Sequence, residues 1–202
     1  MIFQMNSEHP SAYRIERVVR VLNEGKVIAI PTDTCYALAC LPQQRSAVDE
    51  LVKMRQLNPK KPRALVFHSI QQVSNYTLLS DSNFRVLKRF LPGPYCFVLE
   101  SNRKLPRFIG DKRQHIGVRI PKHGVVQAIT ELLDTPLTVT SAISPEDDSM
   151  LYDPWSIEAC FPSLELVIDA GDVPGGASSV IDLTGDEVEV LREGLGEVSA
   201  FS

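Results

Sequence analysis

Apolar and polar positions follow two different periods along this chain. Between Ala12 and Glu24, the residues Ile15, Val18, Val19 and Leu22 recur every three or four positions, which puts them on one face of a helix that Gly25 ends. The run Lys26–Ile30 that follows is too short and too uniformly apolar for a surface helix, and it predicts a strand buried on both faces. The same reading predicts helices over 46–55, 82–90 and 124–133, the second capped by Asp81 or Ser82. It predicts strands over 63–67, 95–100, 115–120, 136–140, 164–169, 178–183 and 187–192, the last pair joined through Thr184-Gly185-Asp186. Residues 144–156 form the longest expected loop. Helix and strand thus alternate along most of the chain, with no repeat and no linker. This pattern predicts one α/β domain built on a twisted, mixed, open sheet.

Composition narrows the class. At 44% hydrophobic and 23% charged residues, the 202-residue chain reads as an ordinary soluble globular protein. It lacks the 18-residue apolar run that a membrane span needs. The first residues, MIFQMNSEHPSAYR, do not have the basic-then-apolar layout of a secretion signal. Cys35, Cys40, Cys96 and Cys160 show neither CxxC nor zinc spacing, and are expected to be reduced in a cytoplasmic protein. Charge is uneven: Arg45 to Lys122 carries sixteen Lys/Arg against five Asp/Glu, whereas in 124–202 Arg192 stands alone against sixteen acids. Either surface charge has clustered on separate helices, or the middle of the chain builds a cationic face for a phosphate or nucleic acid.

The candidate chemistry lies where strands and helices end. Lys53 and Arg55 sit two apart at a helix end, followed by Lys60, Lys61 and Arg63; the group suits a triphosphate or nucleic-acid backbone, or is a solvated helix end. Arg119, inside an apolar strand, is either a structural ion pair or a ligand for carboxylate or phosphate. The segment GDVPGGASS (171–179) is no Walker loop, because a strand follows it, but its glycines let backbone approach a ligand. Thr32 and Thr34, like Ser141, place hydroxyls just past a strand, where open α/β sheets bind ligands. Cys35 with His68, His115 or His123 as base has no flanking signature, and a buried thiol is the preferred reading.

In this order and spacing, PTDTCYALAC, the Lys-x-Arg of KMR, PGPYCFVL, IGVRIPKH, TSA and SSVIDL followed by LREG resemble the YrdC/YciO family of threonylcarbamoyl-adenylate synthase-like proteins. The resemblance covers 12–202, leaving 1–11 as an N-terminal extension, and MRQL and VIDLTGDEVEVLREGLGEV are nearer the YciO branch. It implies a YrdC-like domain, its sheet curving around a positively charged concave cavity. In the synthase branch ATP, L-threonine and bicarbonate yield threonylcarbamoyl-AMP and pyrophosphate, feeding threonylcarbamoyladenosine modification of tRNA. The resemblance further implies ATP or phosphate contacts at Lys53, Arg55, Ser141, Ser149, Ser179 and Arg192, and threonine contacts at Thr32, Thr34 and Arg119. Mg2+ is expected with the phosphates, and no side-chain nucleophile is required. The other role the family implies is binding of double-stranded RNA or tRNA without catalysis. The chain departs from the pattern at Ile143, where the family's Ser-Ala-Asn reads Ser-Ala-Ile and an amide donor and acceptor are lost. The Lys-x-Arg loop is also longer before Pro62, and Tyr-Gly-Leu-Gly reads Tyr36-Ala37-Leu38-Ala39.

Overall fold

A computed structural model describes residues 1–58, 63–109 and 114–201. Ten strands form one sheet: β1 (Ile2–Gln4), β2 (Ile28–Ile30), β3 (Ala37–Cys40), β4 (Ala64–Val66), β5 (Tyr95–Glu100), β6 (His115–Arg119), β7 (Leu137–Ser141), β8 (Leu166–Asp169), β9 (Ser179–Asp182) and β10 (Glu189–Arg192). Their spatial order is β1-β8-β2-β3-β7-β4-β6-β5-β9-β10. Four neighbouring pairs are parallel (β1/β8, β2/β8, β4/β6, β5/β9) and the other five antiparallel, so the sheet is mixed. Both faces are covered, which is why the strands read as nearly continuous apolar runs.

Successive residues of a strand point to opposite faces, and the two cores follow that rule. Ala29, Leu38, Cys40, Leu65, Phe97 and Val118 belong to one core, closed by α2 (Arg45–Met54), α4 (Asp81–Phe90) and α6 (Pro154–Cys160) through Leu51, Leu87 and Ile157. Ile28, Ile30, Ala37, Ala39 and Val139 belong to the other, closed by α1 (Ala12–Asn23) and α5 (Gly124–Leu133) through Val18, Leu22, Val125 and Ile129. A short α3 (Ile70–Ser74) precedes α4.

Some elements differ from the pattern-based expectation. Strand β3 reads ALAC, without a β-branched residue, so propensity is silent; pairing with β2 on one side and β7 on the other makes it a strand. Residues Ile2–Gln4, inside the expected extension 1–11, lie parallel to β8 as the sheet's first strand. Helix α6 cuts into the expected loop 144–156: Pro154 is its first residue, and the Asp153 carboxylate accepts from Ser156 N at 2.9 Å. The cap of α4 is Ser80, which accepts from Asn83 N at 3.2 Å, rather than Asp81 or Ser82. Among the described residues, no helix is long and apolar enough to cross a membrane.

Candidate functional site

The loop from Pro31 to Tyr36 turns β2 into β3, and its own hydroxyls build it. Thr32 Oγ1 accepts from Thr34 N (3.2 Å) and Cys35 N (3.3 Å) and donates to Cys35 O (2.6 Å). That uses the hydroxyl's hydrogen and both lone pairs. Thr34 Oγ1 accepts from Arg119 Nη2 at 3.1 Å, and the same nitrogen donates to Asp33 Oδ1 at 2.9 Å. Lys122 N donates to the other oxygen of Asp33 at 3.0 Å. The Arg119–Asp33 pair is sequestered, with side chains only 7% and 10% exposed. Arg119 nevertheless keeps its Nε buried and unpartnered among the described residues. Arg119 is therefore a structural ion pair, the first of the two roles open to it in sequence, and it has one edge without a partner.

Two further segments are fastened to this loop. Gly175 N and Gly176 N donate to Thr34 O at 2.9 and 3.2 Å, which ties down the glycine segment between β8 and β9. Ala142 N donates to Tyr36 O at 2.8 Å, which joins the chain leaving β7. A cleft of about 630 Å³ borders the loop, lined by Thr32, Asp33, Tyr95, Lys122 and His123 among others. Burial holds the His123 imidazole below its ordinary pKa, and the Asp33 carboxylate works in the opposite direction.

Lys53 and Arg55 part company at the end of α2. Arg55 is buried, 9% exposed, and Lys53 is exposed. Nε of Arg55 donates to Ser141 O at 2.9 Å, and its terminal nitrogens make no hydrogen bond among the described residues. Burial lowers the Arg55 pKa, while Asp148 pushes it back up. Arg63 is buried rather than solvated, with Nη1 on Asn58 O at 3.1 Å. Lys60 and Lys61 lie outside the described residues.

Arg192 meets Ser178 across the last hairpin, and Ser179 is held by the segment that follows it. Arg192 Nε and Nη2 both donate to Ser178 O, at 3.0 and 2.8 Å. Ser179 Oγ donates to Gly196 O at 2.5 Å and accepts from Gly194 N at 3.0 Å. The approach is close enough that a Cβ on Gly194 would stand 2.3 Å from Ala177 O, so only glycine fits after Arg192-Glu193. Arg192 and Arg119 are linked through buried Cys96: both guanidiniums act on its thiol, against the stronger upward push of burial.

A family model, Sua5/yciO/yrdC, described as telomere recombination, matches residues 20–194. The chain belongs to the Sua5/YciO/YrdC family. It is 32% identical over 201 residues to the uncharacterized protein YciO of Escherichia coli K12, covering 98% of each chain. The crystal structure of E. coli YciO matches 100% of this chain and 99% of its own at TM-score 0.95 and 31% identity. Human threonylcarbamoyl-AMP synthase is 30% identical over 178 residues, 84% of this chain and 63% of that one. P. abyssi Sua5, solved in complex with L-threonine, matches 96% of this chain and 57% of its own at TM-score 0.89 and 26% identity.

Within this Sua5/YciO/YrdC fold, the residues singled out from sequence form two connected groups, Thr32, Thr34 and Arg119, and Arg55 and Ser141, while Ser179 and Arg192 are held separately, by Gly194 and Gly196 and by Ser178 O. Lys53 and Ser149 stay outside them. Lys53 is exposed, and the exposed Ser149 spends its hydroxyl on Asp147 at 2.7 Å. Sequence reading missed Asp33, which holds Arg119. The available signal was a carboxylate between two threonines in a chain with a strand-buried arginine. Among the described residues, no group of three or more His, Cys, Asp or Glu is arranged to hold a metal ion.

Proposed function

We propose that this protein binds a nucleotide in a basic cavity and acts as a threonylcarbamoyl-AMP synthase-like nucleotidyltransferase in the cytoplasm, supplying the threonylcarbamoyladenosine modification of tRNA. The observation that carries this reading is Arg119: a buried guanidinium with an unpartnered Nε, aimed by Asp33 and Thr34. Similarity to a Sua5 solved with L-threonine supports an amino acid as its ligand. Arg119 takes one threonine carboxylate oxygen on Nε; a two-point grip that includes Nη2 requires Asp33 or Thr34 to yield. Thr32 and Thr34 shape the loop and aim the guanidinium, since their hydroxyls are already engaged.

On the nucleotide side, Arg55, Lys53 and the hydroxyl of Ser141 hold ATP, with Arg192 closing the distal end; a contact from Ser149 or Ser179 requires its hydroxyl to leave Asp147 or Gly196. The threonine amine nitrogen bonds to the bicarbonate carbon as a C–O bond breaks and water leaves, which gives a carbamate. Its oxygen forms a bond to the α-phosphorus as the bond to pyrophosphate breaks, so anion meets anion and cations must offset the charge. A magnesium ion, bound with the triphosphate, would offset part of the phosphate charge beside Arg55 and Lys53. No side-chain nucleophile takes part, and proximity supplies much of the rate.

The test is pyrophosphate release from ATP, bicarbonate and labelled threonine. Release that depends on threonine supports the synthase, and release without such dependence at high protein concentration refutes it. Ile143→Asn restores the family's amide at a half-buried position beside Ser141, and is expected to raise adenylate affinity. A second reading, binding of double-stranded RNA or tRNA without catalysis, rests on the sixteen basic against five acidic residues of 45–122. Its log-affinity must fall with log salt, and a flat response removes it.

A further inference from the structure

Arg63 is buried, only 6% exposed, and makes no ion pair among the described residues. Its Nη1 donates to Asn58 O at 3.1 Å, and its Nε is buried without a partner. Burial lowers the pKa of Arg63, as it lowers that of Arg55. Arg55 makes no ion pair among the described residues either, and only its Nε is hydrogen-bonded among them. Burying a charge without a counter-charge is costly, so two such guanidiniums close together need a reason. Holding Asn58 O is not reason enough, because any neutral donor serves a backbone carbonyl.

The backbone fixes where Arg63 stands. Arg63 N donates to Ile109 O at 3.1 Å and Gly117 N donates to Arg63 O at 3.0 Å, so both main-chain groups are tied down. On the other side of β4, Ala64 pairs with Val139 and Leu65 with Thr138. One step further back, that register sets Arg63 opposite Thr140, next to Ser141. The α-carbons of residues opposed in this way are about 5 Å apart. Side chains alternate along a strand, so Arg63 shares a face with Leu65, in the core that α2 closes. Arg55 reaches the same corner from the end of α2, with Nε on Ser141 O at 2.9 Å. Asn58, whose carbonyl Arg63 holds, is three residues beyond Arg55. Two buried positive charges thus occupy one corner, where the end of α2 meets β4 and β7.

We infer that Arg63 is a further phosphate-binding residue, and that with Arg55 it grips a polyphosphate chain at this corner. The inference rests on the nucleotide reading above and adds a contact to it. Two neighbouring guanidiniums repel each other, and a ligand with several negative charges offsets both. The open edge of Arg63, Nε with Nη2, matches two phosphate oxygens side by side.

Calorimetric titration with ATP and with inorganic tripolyphosphate tests this on the wild type, Arg63→Met and Arg63→Lys, each checked by a melting curve. Arg63→Met is expected to lose about tenfold in affinity for both ligands. Its unliganded melting temperature should hold or rise, because a buried charge without a counter-charge has been removed. Arg63→Lys keeps the charge without the two-point edge and is expected to lose about threefold. It also decides the matter if the Met variant does not fold. Affinities within about twofold of the wild type in the folded variants overturn the inference and leave the nucleotide reading intact. If the melting temperature of Arg63→Met falls and Arg63→Lys binds as the wild type does, Arg63 serves the fold alone, which overturns it too. A loss for ATP but not for tripolyphosphate overturns it as well, because the contact is then not to phosphate. No binding of either ligand by the wild type overturns the inference and the nucleotide reading together.

Discussion

Removing the carboxylate of Asp33 is the sharpest test of how this site is assembled. In Asp33→Ala the Arg119 guanidinium, 7% exposed, keeps only Thr34 Oγ1 as an acceptor among the described residues, and Lys122 N loses its partner. Breaking one side of a buried ion pair costs about 3–5 kcal/mol. Asp33 lines the 630 Å³ cleft, so water can enter and restore part of the hydration, which favours the lower end, about 3 kcal/mol. Asp33→Asn keeps the shape and one acceptor but loses the charge, for about 1–2 kcal/mol. Urea unfolding reads this directly: with a slope of about 2 kcal/mol per molar, the Ala variant moves the midpoint down by about 1.5 M. Arg119→Met removes the need for a counter-charge. The double variant should therefore recover much of the loss, with a coupling energy of about 2 kcal/mol. A cost below about 0.5 kcal/mol for Asp33→Ala is what a solvated surface pair gives, and it would refute the claim that Asp33 holds Arg119 in place.

Two other outcomes are expected. Gly194→Ala drives a methyl to 2.3 Å from Ala177 O and 2.6 Å from the Ser178 carbonyl carbon. Prising β10 from β9 in this way costs about 2 kcal/mol and lowers the melting temperature by about 4–8 °C; an unchanged melting temperature means the segments do not approach. Cys40 is fully buried, and desolvation, aided by Glu50, pushes its thiol from 9.0 up to about 12. Because the folded value is raised above the unfolded one, this contribution to stability is complete below pH 9 and lost as pH climbs toward 12. Cys40→Val should therefore flatten the alkaline fall in stability by about 1.4 kcal/mol per pH unit in that window, and an unaltered slope counts against burial of the thiol.

Much of the fold was legible because burial repeats with the period of each element. Helix α5 and strand β5 follow from pattern alone, as does the β9–β10 hairpin about its glycine turn. The order of the motifs likewise placed the chain in its family before any geometry was known. Elements whose signal is weak locally escaped: ALAC of β3 becomes a strand because two neighbours pair with it, and Ile2–Gln4 because β8 is there to receive it. The fates of individual polar groups also escaped. Lys53 and Arg55 have equal standing in sequence, yet the turn at the end of α2 buries one against Ser141 and leaves the other in solvent. The hydroxyls of Thr32 and Ser179 look free on paper and are spent on backbone.

By itself, the sequence determined the alternation of elements, the class of the sheet, and the supply of cations and hydroxyls at its strand ends. Those depend on residue type and on spacing within a few turns of chain. Only the tertiary structure decided that Asp33 holds Arg119 across 86 positions of sequence, that Arg192 meets Ser178, and that Arg55 reaches Ser141. Partners of that kind are chosen by which loops a folded sheet brings within hydrogen-bonding distance, and burial then decides which polar atoms are satisfied and which are left without a partner.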